Sequence, residues 1–159
     1  MKYIILILSV LATQASVAQD YPEVIPDFEI FTLNGDVFTN ENVQNETYSL
    51  FIYFNPECGH CKTTFEALNL KAEKIKEANV TLYPVSANTE EITTKFFKEL
   101  IADLYALENM KVLRDDDYKF ADMFFVSGYP TSYLYDKNNK LVKVYDGTSE
   151  TVAFMEDLK

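Results

Sequence analysis

The chain has 159 residues, with 25 acids against 14 lysines and arginines and a formal net charge of −11. That balance excludes a nucleic-acid binder, which needs clustered Lys and Arg to displace counterions. The length suits one domain with a proper core, and 11 Tyr and 12 Phe, with no Trp, are available to fill it.

Lys2 precedes an apolar stretch over residues 4–8 that continues through Val10 and Leu11, and Ser16-Val17-Ala18 then offers small side chains. This pattern predicts a signal peptide over residues 1–18, cleaved near Ala18/Gln19, and one domain over residues 19–159. The stretch is short for a membrane span, so the expectation is an exported protein with no stable membrane insertion after cleavage. It would be periplasmic in a Gram-negative source and extracellular otherwise.

Residues 29–33 and 37–39 flank Asn34-Gly35-Asp36, a hairpin turn signal. A short helical turn is expected over 40–44. Residues 48–54 are apolar at nearly every position, which fits a central strand covered on both faces. A helix is expected from about 58 to 78, with Phe65, Leu68, Ala72 and Ile75 at helical spacing and Asn79 ending it. Residues 80–85 read as a second buried strand, which makes a βαβ unit. Residues 89–107 read as another helix, capped by Thr89, with Ile92, Phe96, Leu100, Leu104 and Leu107 as its stripe. A short helix over 118–125, a break at 126–130, a hairpin of strands 131–135 and 141–145, and a last helix over 149–158 complete the order. A mixed sheet with helices on both faces follows.

The only two cysteines are Cys58 and Cys61, around Gly59 and His60. They lie where an apolar strand meets a helix start. Free N–H groups and the positive end of the helix dipole there favour a thiolate, and the thiolate is the nucleophile of disulfide exchange. An exported domain stabilised by cystine usually carries several bridges, and a loop this short restrains the unfolded chain little. Chemistry is therefore the better reason for the pair, ahead of an inert bridge or half a zinc site. A zinc site wants four ligands, and one histidine is available.

Phe54-Asn55-Pro56-Glu57-Cys58-Gly59-His60-Cys61 after a buried strand resembles the active site of the thioredoxin-like superfamily, and Val126-Ser127-Gly128-Tyr129-Pro130-Thr131 resembles its cis-proline loop. Pro26-Asp27-Phe28 and the Asn34-Gly35 hairpin resemble the exported TlpA/ResA branch. The resemblance implies an α/β thioredoxin-like fold, with a central mixed β-sheet flanked by helices and an N-terminal β-hairpin extension. It implies an exported thiol-disulfide oxidoreductase with Cys58 as the exposed nucleophile, Cys61 as the buried resolving thiol, and Tyr129 and Pro130 at the substrate. The electrons reside in the dithiol, so no cofactor and no metal is expected. The implied partners are protein thiols or disulfides and a redox partner protein.

Cys-Gly-His-Cys is also similar to the active-site tetrapeptide of protein disulfide isomerases. His60, when protonated, would stabilise a Cys58 thiolate and make the disulfide more oxidising, whereas the Glu57 carboxylate would oppose this by like-charge repulsion. Two departures stand out. Ile52 occupies the stretch where thioredoxins carry a buried Asp, so no proton acceptor for Cys61 is assigned, and no proline kinks the helix after the motif, which predicts a straighter one. Three other readings stay open. A peroxidase on this fold would carry Thr-x-x-Cys, but Asn55 stands three before Cys58. A copper-handling protein would need a third strong ligand beyond His60. A binding module would leave the cysteines idle.

Overall fold

The computed structural model describes residues 21–158, so the signal peptide expected over 1–18 lies outside the described residues. One seven-stranded sheet organises the chain, with Val37–Thr39 (β2), Glu29–Thr32 (β1), Leu113–Arg114 (β5), Val80–Ser86 (β4), Tyr48–Tyr53 (β3), Thr131–Tyr135 (β6) and Leu141–Asp146 (β7) in that spatial order. Glu29–Thr32 (β1) and Val37–Thr39 (β2) pair antiparallel around the expected turn. Gly35 sits there at φ 89°, a backbone conformation open to glycine. The Asn40–Asn42 turn follows as a 3-10 helix.

Tyr48–Tyr53 (β3) and Val80–Ser86 (β4) run parallel in the middle, in register from Tyr48 opposite Val80 to Tyr53 opposite Val85. Side chains alternate across a strand, so one apolar run serves two cores. Leu50, Ile52 and Phe54 enter one, and Phe51 and Tyr53 enter the other. Thr131–Tyr135 (β6) pairs antiparallel with β3, and Leu141–Asp146 (β7) closes that edge. The mixed sheet, its central strand and the N-terminal hairpin are as the sequence predicts. Leu113–Arg114 (β5) is not among the expected strands. It is two residues long, and it joins the hairpin to the core by pairing antiparallel with β1 and parallel with β4.

Three expected helices are interrupted. The helix expected over 58–78 is Gly59–Asn69 (α1) and Ala72–Glu77 (α2): it runs unbroken through residues 62–68, where no proline stands, and is interrupted beyond them. The break follows tertiary contacts: Asn69 Oδ1 accepts from the Leu104 amide at 2.8 Å, and Lys71 Nζ donates to the Val152 carbonyl at 3.4 Å. The helix expected over 89–107 is Glu90–Leu100 (α3) and Ala102–Tyr105 (α4). Ile101, fully buried, turns the chain between them at φ −142°, ψ 47°. Thr89 caps α3 as expected, accepting from the Ile92 amide. Lys119–Met123 (α5) falls within the short helix expected there. The last helix is reduced to Thr148–Thr151 (α6) and a 3-10 turn at Phe154–Glu156, which buries Phe154 completely. Among the described residues, no helix is long and apolar enough to cross a membrane.

Candidate active site

The site grows from the end of β3. Past Tyr53 the chain leaves the sheet, with the Phe54 amide still bonded to the Val85 carbonyl at 3.0 Å. Asn55 then makes the turn: its Oδ1 accepts from the Glu57 amide at 2.9 Å and its carbonyl from the Cys58 amide at 3.0 Å. This is the local side-chain-to-backbone bonding that Asn favours in turns. It delivers Cys58 to the cap position of α1, with extended φ −77° and ψ 125°. The Lys62 amide closes the first helical bond onto the Cys58 carbonyl at 3.1 Å.

The two thiols are free and differ in setting. Cys58 is half-buried, whereas Cys61, one turn into the helix, is fully buried among Phe54, Phe65 and Leu68. Burial raises the Cys58 thiol, but the Cys61 amide, the Cys61 thiol and the His60 amide outweigh it, and the net shift is downward. No capping hydrogen bond closes onto the Cys58 side chain, so these donors act as the helix-end field does rather than as a fixed cap. Cys61 is pushed up to about 12, first by burial, with the neighbouring Cys58 adding to the rise and a donor from Asn55 opposing it. That donor is the Asn55 amide, 3.5 Å from Cys61 Sγ.

The loop between α5 and β6 faces the pair. The Tyr129–Pro130 peptide is cis, and the Tyr129 carbonyl accepts from Cys58 Sγ at 3.9 Å. Pro130 is buried, while Tyr129 keeps 42 % of its surface exposed. Thr131 Oγ1 donates to the Gly128 carbonyl at 2.9 Å and braces the loop from within. Cys58, Cys61, Tyr129 and Pro130 thus converge. Glu57 and His60 are exposed beside them, and His60 acts on Cys58 through its amide. A cleft of about 560 Å³ opens next to the motif, between Pro56, Glu57 and Lys62 on one side and Ile92, Phe96 and Leu100 of α3 on the other. Ile92, expected in the buried stripe, is 40 % exposed because it borders this cleft.

Two contributors escape sequence reasoning to different degrees. Asn55 is legible in hindsight, since Asn-Pro before a helix is a turn signal. Asp115, fully buried and hydrogen-bonded to the Tyr53 hydroxyl at 2.9 Å, is not. Its partner lies 62 residues away, and its acidic run 115–117 reads as solvated surface.

The AhpC/TSA family model matches residues 22–144. The chain belongs to the AhpC/TSA family. No curated protein matches it. Among solved structures, it is similar to a candidate thiol:disulfide interchange protein DsbE from Chlorobium tepidum, at 22 % identity and TM-score 0.69, covering 88 % of this chain and 96 % of that one. It is also similar to the thioredoxin domain of a thiol-disulfide oxidoreductase from Bacteroides vulgatus, at 21 % identity and TM-score 0.69, covering 89 % and 100 %. A third likeness is to peroxidoxin BcpB from Mycobacterium tuberculosis, at 14 % identity and TM-score 0.70, covering 87 % and 95 %. These likenesses show a thioredoxin-like fold for this AhpC/TSA chain, in line with the resemblance carried by its motifs.

Proposed function

We propose that the protein is an exported thiol-disulfide oxidoreductase that exchanges a Cys58–Cys61 dithiol with disulfides of protein substrates. The observation that carries this reading is the setting of two free thiols one helical turn apart, Cys58 half-buried at the start of α1 with its Sγ against the Tyr129 carbonyl and Cys61 fully buried behind it. The Cys58 thiolate attacks one sulfur of a substrate disulfide. That S–S bond breaks, one substrate thiolate leaves, and a mixed disulfide forms on Cys58. The departed thiolate takes up the proton shed by Cys58. Cys61 then attacks Cys58 Sγ, the mixed disulfide breaks, and the second substrate sulfur leaves and takes the Cys61 proton. Two electrons and two protons pass to the substrate, and the Cys58–Cys61 disulfide remains for a dithiol partner protein to reduce. The same steps run in reverse for an oxidase.

In this reading, Tyr129 and Pro130 offer the loop against which an extended substrate segment lies, and Glu57 and His60 tune the potential. The charged N-terminus, apolar stretch and Ser16-Val17-Ala18 support export.

The test is insulin reduction by the reduced protein with Cys58→Ser and Cys61→Ser. Cys58→Ser falls to background, and Cys61→Ser accumulates the mixed disulfide, read by mass spectrometry. Full activity of Cys58→Ser overturns the reading. Equilibration with glutathione assigns direction: a potential near about −270 mV marks a reductant, and one near about −120 to −180 mV an oxidase or isomerase.

The family model and the peroxidoxin neighbour favour a second reading, peroxide reduction at Cys58. There the thiolate attacks one peroxide oxygen, the O–O bond breaks, and the other oxygen leaves as hydroxide and takes up the proton shed by Cys58 to become water. The resulting sulfenic acid condenses with the Cys61 thiol to a disulfide and a second water. Asn55 at the position three before Cys58, with its Oδ1 engaged by the Glu57 amide, speaks against it. Consumption of hydrogen peroxide by the reduced protein at the rate of disulfide loss would favour the second reading over the first.

A further inference from the structure

Asp115 immediately follows β5 and is fully buried. Its carboxylate accepts three hydrogen bonds: from the Tyr53 hydroxyl at 2.9 Å, the Phe120 amide at 2.9 Å and the Ala121 amide at 3.0 Å. One side chain therefore holds both the first turn of α5 and the last residue of β3. The Tyr53 ring stacks on Phe120, with centroids 6.0 Å apart and planes at 10°, and on Tyr129, at 5.8 Å and 17°. The Tyr129 carbonyl in turn accepts from Cys58 Sγ. The far end of α5 is tied as well, because the Tyr133 hydroxyl donates to the Phe124 carbonyl at 2.9 Å. Tyr129 lies in the segment between Phe124 and Tyr133, the two residues this last bond joins.

From this arrangement we propose that Tyr53 and Asp115 are positioning residues of the exchange site: the carboxylate holds the Tyr53 phenol, the Tyr53 ring seats Tyr129, and that seat sets how closely the Tyr129 carbonyl meets the Cys58 thiol. The inference rests on the reading of Cys58 as the attacking thiol. Neither residue touches Cys58 itself. The seat does two things. It presents the backbone next to Pro130 in one fixed place for a substrate segment. It also places a hydrogen-bond acceptor against Cys58, and an acceptor favours the neutral thiol over the thiolate. The other titratable groups around Cys58 are Cys61, Glu57 and His60 of its own segment and the Tyr129 phenol of the facing loop.

The experiment follows iodoacetamide alkylation of Cys58 against pH in the full chain, comparing wild type with Tyr53→Leu, Tyr53→Phe and Asp115→Asn. Loosening the seat withdraws the carbonyl. The alkylation rate at pH 6 then rises about threefold in Tyr53→Leu, and less in Tyr53→Phe, which keeps the stack and loses only the bond to Asp115. With insulin as substrate, KM rises by a similar factor while kcat changes little. Should Tyr53→Leu fail to fold, the two conservative variants decide by the same profile. Folded Tyr53→Phe and Asp115→Asn proteins whose alkylation profile and KM superimpose on wild type overturn the proposal. Its failure is separable from that of the functional reading, because alkylation requires no turnover and Cys58→Ser alone decides whether Cys58 exchanges disulfides.

Discussion

Successive residues of β3 enter two cores of different character. Leu50, Ile52 and Phe54 meet Cys61, Phe65, Phe96 and Phe97, a face built almost wholly of hydrocarbon. Phe51 and Tyr53 meet Phe28, Tyr83, Phe120, Phe124, Tyr133 and Tyr135, a face richer in aromatic rings and threaded with hydroxyls. Each of those phenols has a partner: Tyr53 donates to Asp115, Tyr133 to the Phe124 carbonyl and Tyr135 to the Pro22 carbonyl, while Tyr83 accepts from the Gln44 amide. The difference explains the division of labour at the site. A thiol on the dry face has little to solvate its anion, so Cys61 stays protonated until the pair reacts. The hydroxylated face fixes backbone, because a buried phenol that must be satisfied specifies where its partner lies. The dithiol helix rises from the first face, the Tyr129–Pro130 loop leaves the second, and Cys58 sits where the two meet.

Paired truncations test this division most severely. Phe65 packs on Phe54, Phe96 and Phe97 at 4.8–5.6 Å, and Phe51 on Tyr83 at 4.9 Å. Phe65→Ala and Phe51→Ala should each lower stability by about 3–5 kcal/mol in urea denaturation. Only Phe65→Ala should open Cys61 to alkylation in native buffer. Equal labelling of Cys61 in both variants would show that the faces are not independent.

The alkaline limb isolates Cys61. Its folded-state value of about 12 lies above the ordinary 9.0, so the native state holds that proton longer than the unfolded chain does. The resulting stability is fully present below about pH 9 and is lost as pH rises toward about 12. Burial raises several tyrosines too, so the whole protein weakens in that range. The reduced wild type should nevertheless lose stability more steeply than Cys61→Ala between pH 9 and pH 11, read from urea midpoints. Parallel slopes would refute the assignment.

The smallest effect belongs to the hydroxylated face. Tyr135→Phe leaves the Pro22 carbonyl without its donor, and the expected cost is about 1 kcal/mol. A variant as stable as wild type would mean that ring packing alone holds that end of the sheet.

How much of this was legible in the sequence depended on how far apart the cooperating residues lie. Period and punctuation announced β3, β4, the two hairpins and the Thr89 cap, because each reflects the preferences of neighbouring residues. The short spacing of Cys58 and Cys61 before an apolar helical stripe announced the candidate site in the same way. The helix breaks at Leu70–Lys71 and Ile101 were not announced. The stripes Phe65-Leu68-Ala72-Ile75 and Phe96-Leu100-Leu104 read as continuous, and the chain departs from them where contacts with distant residues fix the breaks. Strand β5 was too short to show any period.

The sequence by itself therefore determined the class of fold, the order of its elements and the presence of a dithiol at a helix start, all of them consequences of local pattern. Only the tertiary structure decided that Asp115 grips Tyr53, that Tyr53 seats Tyr129, and that Cys61 is buried far enough to hold its proton to about 12. Asp115 and Tyr53 are brought together by the parallel pairing of β3 with β4 and of β4 with β5, Tyr53 and Tyr129 by the antiparallel pairing of β3 with β6, and Cys61 is buried by the packing of α1 on the sheet. Proximity across strands is a property of the folded sheet and leaves no mark on the spacing of residues along the chain.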